Sequence, residues 1–530
     1  MNNRWLVLVI MISVLIFWGV SQAQENWVYR YNGPGNNKDS ASAVVYGADG
    51  NIYVAGASVG SGTYSDFTVI SLTSSGTERW VYRYNGPGGN YDDLAFSLVY
   101  GTDGNIYAAG AINGDLSDFG VISLTNTGTE RWVYQYSGGG AVDDAAYSVV
   151  YGADSNIYAA GLSKSGDFVV ISLTNTGTER WVYEYSGPGN WATALSIVYG
   201  ADGNIYAAGW SHDTNRDFTV ISLTSSGTER WVYRYNGPGD DSDEAFSLVY
   251  GADGNIYAAG YSLGNGTNAD FLVISLTNTG TERWVYRHNG PDNDWDELSA
   301  VVYGLDGNIY AAGASDYGAT LFDFTVISLT NTGTERWVYQ YNNPGDWYDW
   351  ARSLVYGADS NIYAAGYSSG TEYDFVVIKL TSTGTEHWVY RYNGPGDSKD
   401  VASAIIYGAD NNIYAGGGST GSGTEYDFTV ISLPNVGIKE QCETSVRDYG
   451  LILMGIGKRE IKFSLTLSEP TVVDLSLYNI IGEKVCSFKI PAEKGTSYHK
   501  KSLPFFSSGI YFLKAEIEGN TITKKVIVLQ

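Results

Sequence analysis

An aromatic ring stacks on the C–H face of a sugar, and a carboxylate beside it accepts the hydroxyl hydrogens. The chain offers that pairing repeatedly. Trp191, Trp295, Trp347 and Trp350 lie in irregular segments, most of them crowded with acids. Trp210 and His212 lie in another irregular segment, and Tyr91 and Tyr348 join the set. The acids are Asp39, Asp92-Asp93, Asp143-Asp144, the group Asp240, Asp241 and Asp243, the group Asp292, Asp294 and Asp296, then Asp346 with Asp349 and Asp397 with Asp400. Gly189-Asn190-Trp191-Ala192-Thr193 is the one comparable segment without an acid. Glycan or protein binding is the functional reading. The plainer role for such acids is to cap turns and keep the protein dissolved.

Asp292-Asn293-Asp294-Trp295-Asp296-Glu297 places carboxylates at alternate positions, as calcium loops do. It lacks the following Gly and the later Glu of a full helix–loop–helix site. Calcium on Asp292, Asp294 and Asp296 is the only cofactor the sequence suggests.

Catalytic motifs are sparse. Of four histidines, only His212 falls in a variable segment. There is no Gly-x-Ser-x-Gly elbow, His-Glu-x-x-His pair or phosphate loop. No catalytic residue is therefore assigned, and a non-catalytic binding or scaffolding role leads. Two alternatives stand: a polysaccharide hydrolase or lyase working through carboxylates of the variable segments, and a purely structural surface component.

The elements that position these residues repeat. Trp-Val-Tyr recurs with Trp at 27, 80, 132, 181, 231, 284, 337 and 388. Each unit carries four β-like runs, such as Ser-Ala-Val-Val-Tyr (42–46), Asn-Ile-Tyr-Val-Ala (51–55), Asp-Phe-Thr-Val-Ile-Ser-Leu (66–72) and Arg-Trp-Val-Tyr-Arg-Tyr (79–84). Asp49-Gly50 reads as a two-residue hairpin in which both positions favour φ > 0. Asp154-Ser155, Asp359-Ser360 and Asp410-Asn411 depart from that pattern. Four strands at a period of about 50 residues predict propeller blades. The array begins with a lone fourth-type strand (Trp27-Val28-Tyr29) and ends with strands of the first three types (403–433). The prediction is an all-β, eight-bladed propeller closed by its N-terminal strand. Its variable loops, fourth-to-first and second-to-third, should share one face around the channel mouth.

Composition narrows the partners. The 57 acidic and 31 basic residues give a net charge of −26, which excludes a nucleic-acid partner. Hydrophobic residues make up 44% and exclude bulk disorder. Two cysteines, Cys442 and Cys486, are too few for a disulfide framework. Residues 1–23 read as a signal peptide: Arg4, the apolar run Leu6 to Val20, then Ser21-Gln22-Ala23. No further membrane span is expected after its removal. The expected domains are 1–23 signal peptide, 24–437 propeller, 438–458 linker and 459–530 C-terminal domain.

The repeats resemble bacterial β-propeller repeat proteins with Asp-Phe-x-x-Ile-x-Leu and Gly-Asn-Ile-Tyr marks. The last segment carries a second resemblance. Tyr478-Asn479-Ile480-Ile481-Gly482, Ser508-Gly509-Ile510-Tyr511-Phe512 and Lys524-Lys525-Val526 stand in the order seen in the type IX secretion C-terminal sorting domain. That resemblance implies a small Ig-like β-sandwich. It also implies docking of 459–530 on the type IX machinery, export across the outer membrane, and release or cell-surface attachment.

Overall fold

The computed structural model describes residues 24–86, 91–112, 117–139, 143–163, 165–290, 293–316, 321–343, 348–370, 372–435, 449–457, 460–467, 469–479, 484–502, 509–517 and 520–528. The expected signal peptide, Asp292, Asp346, Trp347 and Cys442 lie outside them. The chain divides into two compact units, Met1–Lys439 and Glu440–Gln530.

The first unit is an eight-bladed β-propeller. Its first blade runs Asp39–Tyr46, Asn51–Val59, Ser65–Thr73 and Glu78–Tyr84, each strand antiparallel to the last. Seven blades are built in this way. In the eighth, Asp400–Tyr407, Asn412–Thr420 and Tyr426–Pro434 are joined by Trp27–Tyr31 from the N-terminal side. The register sets Trp27 opposite Ser432 and Tyr31 opposite Phe428. Closure by the N-terminal strand thus stands as the phase of the repeats predicts.

The middle strands are buried on both faces, which is why they read as unbroken apolar runs such as Ile52-Tyr53-Val54-Ala55. The core lies between blades rather than at one centre. Tyr53, Phe67 and Val69 of the first blade pack on Leu98, Ile106 and Ile122 of the second. Tyr414, Phe428 and Val430 of the eighth pack on Ile52, Val54 and Ile70 of the first.

Outer strands clip neighbouring blades together. The Trp27 indole donates to the Ser74 carbonyl at 3.0 Å, and Trp80 donates to Asn126 O at 3.1 Å. The ring lies on Gly76 (φ +83°), where an added Cβ would come within 2.6 Å of it. Tyr29 Oη donates to Glu78 Oε2 at 2.6 Å, and Tyr82, Tyr134, Tyr183, Tyr233, Tyr286 and Tyr339 repeat that bond to the next blade.

The seventh blade differs because the hairpin it should lean on is replaced by the closing strand. Trp388 is fully buried, and its indole N–H has no partner among the described residues. Lys379 stands where other blades carry Ser71 or Ser123. Its ammonium pairs with Asp359 at 3.1 Å and donates to Asn435 O at 2.6 Å. Tyr363 and Tyr407 also bond the Asn435 side chain.

The inner hairpin is not the expected two-residue turn. Gly50 N–H bonds Gly47 O at 2.9 Å, and only Gly50 takes positive φ. Asp49 is freed to accept from Asn51 N–H and from Tyr53 Oη at 2.6 Å. Ser155 (φ 64°), Ser360 (63°) and Asn411 (63°) keep the same left-handed turn without glycine.

The second unit is a small β-sandwich. One sheet holds Tyr449–Gly457, Glu460–Leu467 and Gly495–Ser502. The other holds Lys484–Ala492, Thr471–Asn479, Gly509–Ile517 and Asn520–Val528. Phe463 and Leu465 of the first meet Val473, Leu475 and Leu513 of the second in its core. Tyr449–Gly457 falls within the expected linker of 438–458. Its Leu451-Ile452-Leu453-Met454 run suits a strand, and it pairs with Glu460–Leu467. Cys486 is half-buried against this core and forms no disulfide among the described residues.

Candidate functional site

Each inner strand begins at the variable mouth and carries the same plan. Asp39, Asp243, Asp296, Asp349 and Asp400 open their strands, Asp93 and Asp144 stand immediately before theirs, and Ala192 takes the place in the fourth blade. All seven carboxylates are buried. Asp39 accepts from Gly33 N–H at 2.6 Å and from Val59 N–H at 2.9 Å. Asp296 accepts from Gly290 N–H at 2.7 Å and from the Ser315 hydroxyl. These acids clip the incoming loop to the second strand. Burial pushes the Asp243 and Asp296 carboxyls up to about 6.

Other loop acids are spent as well. Asp240 and Asp397 hold the left-handed turn position, bonded by Asn236 and Asn393. Asp92 accepts from Ser65 N–H at 3.0 Å and Asp143 from Ser117 N–H at 2.8 Å. Most of the acids expected to face a ligand are therefore turn and loop clips. Two members of the expected calcium set, Asp294 and Asp296, lie among the described residues. Asp296 points inward to its clip, Asp294 accepts from Asn268 Nδ2 at 2.7 Å, and Asp292 lies outside the described residues. Among the described residues no group of three His, Cys, Asp or Glu could hold a metal.

The residues that do face the channel lie inside the strands. Between the third and fifth residues each inner strand shifts register, leaving one residue unpaired, as between Ala41 and Ala43 or between Ala351 and Ser353. That extra residue is Ser42, Phe96, Tyr147, Leu195, Phe246, Ser299, Arg352 or Ser403, one of the two most variable positions of an otherwise repeated strand. Phe246, Ser299, Arg352 and Ser403, with Glu297 and Val401, line a cavity of about 510 Å³.

Above the cavity an aromatic belt crosses the fourth to seventh blades. Trp191, 48% exposed, lies 6.4 Å from buried Trp210, so the two variable loop classes do share one mouth. Arg216 lies 4.3 Å over the Trp210 ring and pairs with Glu244. Glu244 accepts from Tyr261 Oη at 3.0 Å, and Tyr261 lies 5.3 Å from Trp295. The Trp295 indole donates to Glu297 at 3.1 Å. Trp350 donates to Ser299 Oγ at 3.0 Å and packs on Phe322, which stacks on Tyr348. Arg352 lies 4.7 Å over Trp350 and 5.5 Å over Tyr367. His212 stands at the rim, its N–H bonded to Trp191 O at 2.6 Å.

Burial raises the Glu297 carboxyl, against the Trp295 bond and the nearby Arg352 charge. Burial and Glu244 likewise hold the Tyr261 hydroxyl protonated. The reading of the sequence thus finds the belt through its tryptophans but misses Glu244, Glu297, Phe246 and Arg352. The signal for them was present: two inner-strand positions change from copy to copy while their neighbours stay alike.

Comparison with known proteins bears on both units. Residues 458–529 match the family model described as the secretion system C-terminal sorting domain. No curated protein matches the chain. Solved structures with a similar chain path include Sqt1 from Chaetomium thermophilum, 11% identical over 79% of this chain and 100% of that one, with a TM-score of 0.47. The Pseudomonas aeruginosa periplasmic gluconolactonase PpgL is 13% identical over 56% and 84%, with a TM-score of 0.39. A polysaccharide lyase of the PL25 ulvan lyase family is 11% identical over 63% and 91%, with a TM-score of 0.39. Among the described residues no helix is long and apolar enough to cross a membrane. The propeller is therefore followed by a type IX secretion sorting domain, the signal for passage across the outer membrane to the cell surface or the medium.

Proposed function

We propose that the protein is a non-catalytic binding module of the cell exterior, and that its variable channel mouth takes a glycan. One observation carries the reading: every residue lining the cavity, Phe246, Glu297, Ser299, Arg352, Val401 and Ser403, holds one of the inner-strand positions that vary among near-identical blades, and Trp295 and Trp350 bond two of them. Aromatic faces beside polar groups are what sugar recognition requires. Drift alone would scatter the variation over all surfaces.

Both catalytic alternatives would work through carboxylates of this face, and the common hydrolase mechanism needs two open to one substrate. Glu244 is committed to Arg216 and Tyr261, which leaves Glu297 alone in the cavity. That supports binding over turnover. A glycan array probed with the chain lacking residues 1–23, with calcium and with chelator, tests the proposal. The expected result is a calcium-independent hit lost in Trp350→Ala and weakened in Trp295→Ala. Cleavage of the bound glycan would replace binding by catalysis. A blank array would move the function to a protein ligand or a structural role.

A further inference from the structure

The channel is lopsided. At the unpaired position the second to fifth blades supply Phe96, Tyr147, Leu195 and Phe246, and Phe96 and Tyr147 lie 5.5 Å apart. The sixth, seventh, eighth and first supply Ser299, Arg352, Ser403 and Ser42. An apolar arc therefore faces a polar arc, and one cation stands in the polar arc.

Building on the glycan reading above, we infer that the cavity takes an acidic saccharide unit, its carboxylate bound to Arg352 and its C–H face laid toward Phe246. Arg30, Arg83, Arg216, Arg234, Arg287 and Arg391 each pair with an Asp or Glu. Arg352, like Arg79 and its five counterparts that bond Tyr and Ser hydroxyls, has no such ion pair among the described residues, and of these it is the one that lines the cavity. Its Cζ lies 4.7 Å from the Trp350 ring centroid, and it hydrogen-bonds Tyr367. A guanidinium keeps further N–H donors in a planar fork that matches a carboxylate. Glu297 and Ser403 line the same cavity and offer acceptors and a hydroxyl to the sugar hydroxyls. The Trp295 indole fixes Glu297 at 3.1 Å. A cavity of about 510 Å³ lies within the range of roughly 300–1,000 Å³ common for small-ligand sites.

The test compares oligogalacturonate and oligomannuronate with their methyl esters, which keep the sugar and mask the charge, by calorimetry on the chain lacking residues 1–23. The expected result is that at least one acid binds about 10–100-fold tighter than its ester, the gain of a charge-assisted hydrogen bond. Arg352→Gln should bring the acid-to-ester ratio down to about one, and Arg352→Lys should restore only part of it. Equal binding of acid and ester overturns the inference and leaves the glycan reading standing. So does failure of both acids when a neutral glycan binds through Trp350. Failure of every saccharide overturns both. The acid-to-ester ratio of the unmutated protein needs no variant, so a poorly folded Arg352 mutant does not blunt the test.

Discussion

Tyr390 of the seventh blade hydrogen-bonds Glu25, which precedes the closing strand. In the other blades the same Tyr reaches a Glu at the start of the next outer strand, as Tyr29 does to Glu78. The eighth blade has no such hairpin, so the N-terminal segment supplies the Glu together with the strand. Deleting residues 24–32 removes both and exposes the edge of Tyr426–Pro434. We expect a two-step or strongly lowered melt for the deletion. Glu25→Ala alone should cost about 1–2 kcal/mol, because it leaves the buried Tyr390 without this bond to the exposed Glu25. An unchanged melt in the deletion would show that the ring does not depend on this strand.

Stability should peak in mildly acidic solution. Burial raises the folded carboxyls of Asp243 and Asp296 from the ordinary 3.8 to about 6. The folded state then binds more protons than the unfolded chain between those values. Stability contributed by these groups therefore grows as pH falls from above 6 toward 4. Asp49, Asp103 and Asp253 act oppositely. Burial alone would raise them, but Tyr hydroxyl and Asn bonds hold them below 3.8. Their contribution is lost only under stronger acid. Melting temperature against pH should show a maximum between about 4 and 6. Asp243→Asn should flatten the upper side of that curve, and a maximum above pH 7 would contradict the assignment.

The shared tryptophans should divide into two classes. Trp80 donates to a neighbouring carbonyl, whereas the Trp388 N–H has no partner among the described residues. Trp80→Phe should lose a hydrogen bond worth about 1 kcal/mol beyond the change of ring, and Trp388→Phe should not. Trp388→Ala should cost roughly 3–5 kcal/mol. Chemical denaturation of the three variants checks the order.

Removing residues 459–530 should leave the protein in the periplasm of a type IX host. Fractionation and surface protease digestion report the outcome. Surface delivery of the truncation would show that export uses another signal.

The architecture was legible because repetition made it so. Eight copies of Trp-Val-Tyr and the offset of the first copy dictate both blade number and closure. The site was harder to read for a definite reason. Asp39 and Asp296 sit in loops of unlike sequence and so look free to serve a ligand, yet both hold one register position and one structural duty. Arg352 and Phe246 sit within strands and look like ordinary pattern. The shifted register that turns them to the channel has no signature in a single copy. Only alignment of the copies against one another singles the position out. The departures at Ser155 and Ser360 were legible in the sequence, and there the surrounding hairpin imposes a left-handed turn against the residue's own preference.

The clamp on Asn435 has a mechanical meaning. A protein tethered through its C-terminal side is pulled where the chain leaves the propeller. That load enters Tyr426–Pro434, a strand flanked on both sides by antiparallel partners. It meets the Lys379 ammonium, Tyr363 and Tyr407 before it reaches either ladder. A pull from that side would thus be shared by two rows of hydrogen bonds, one to Asn412–Thr420 and one to the closing strand Trp27–Tyr31.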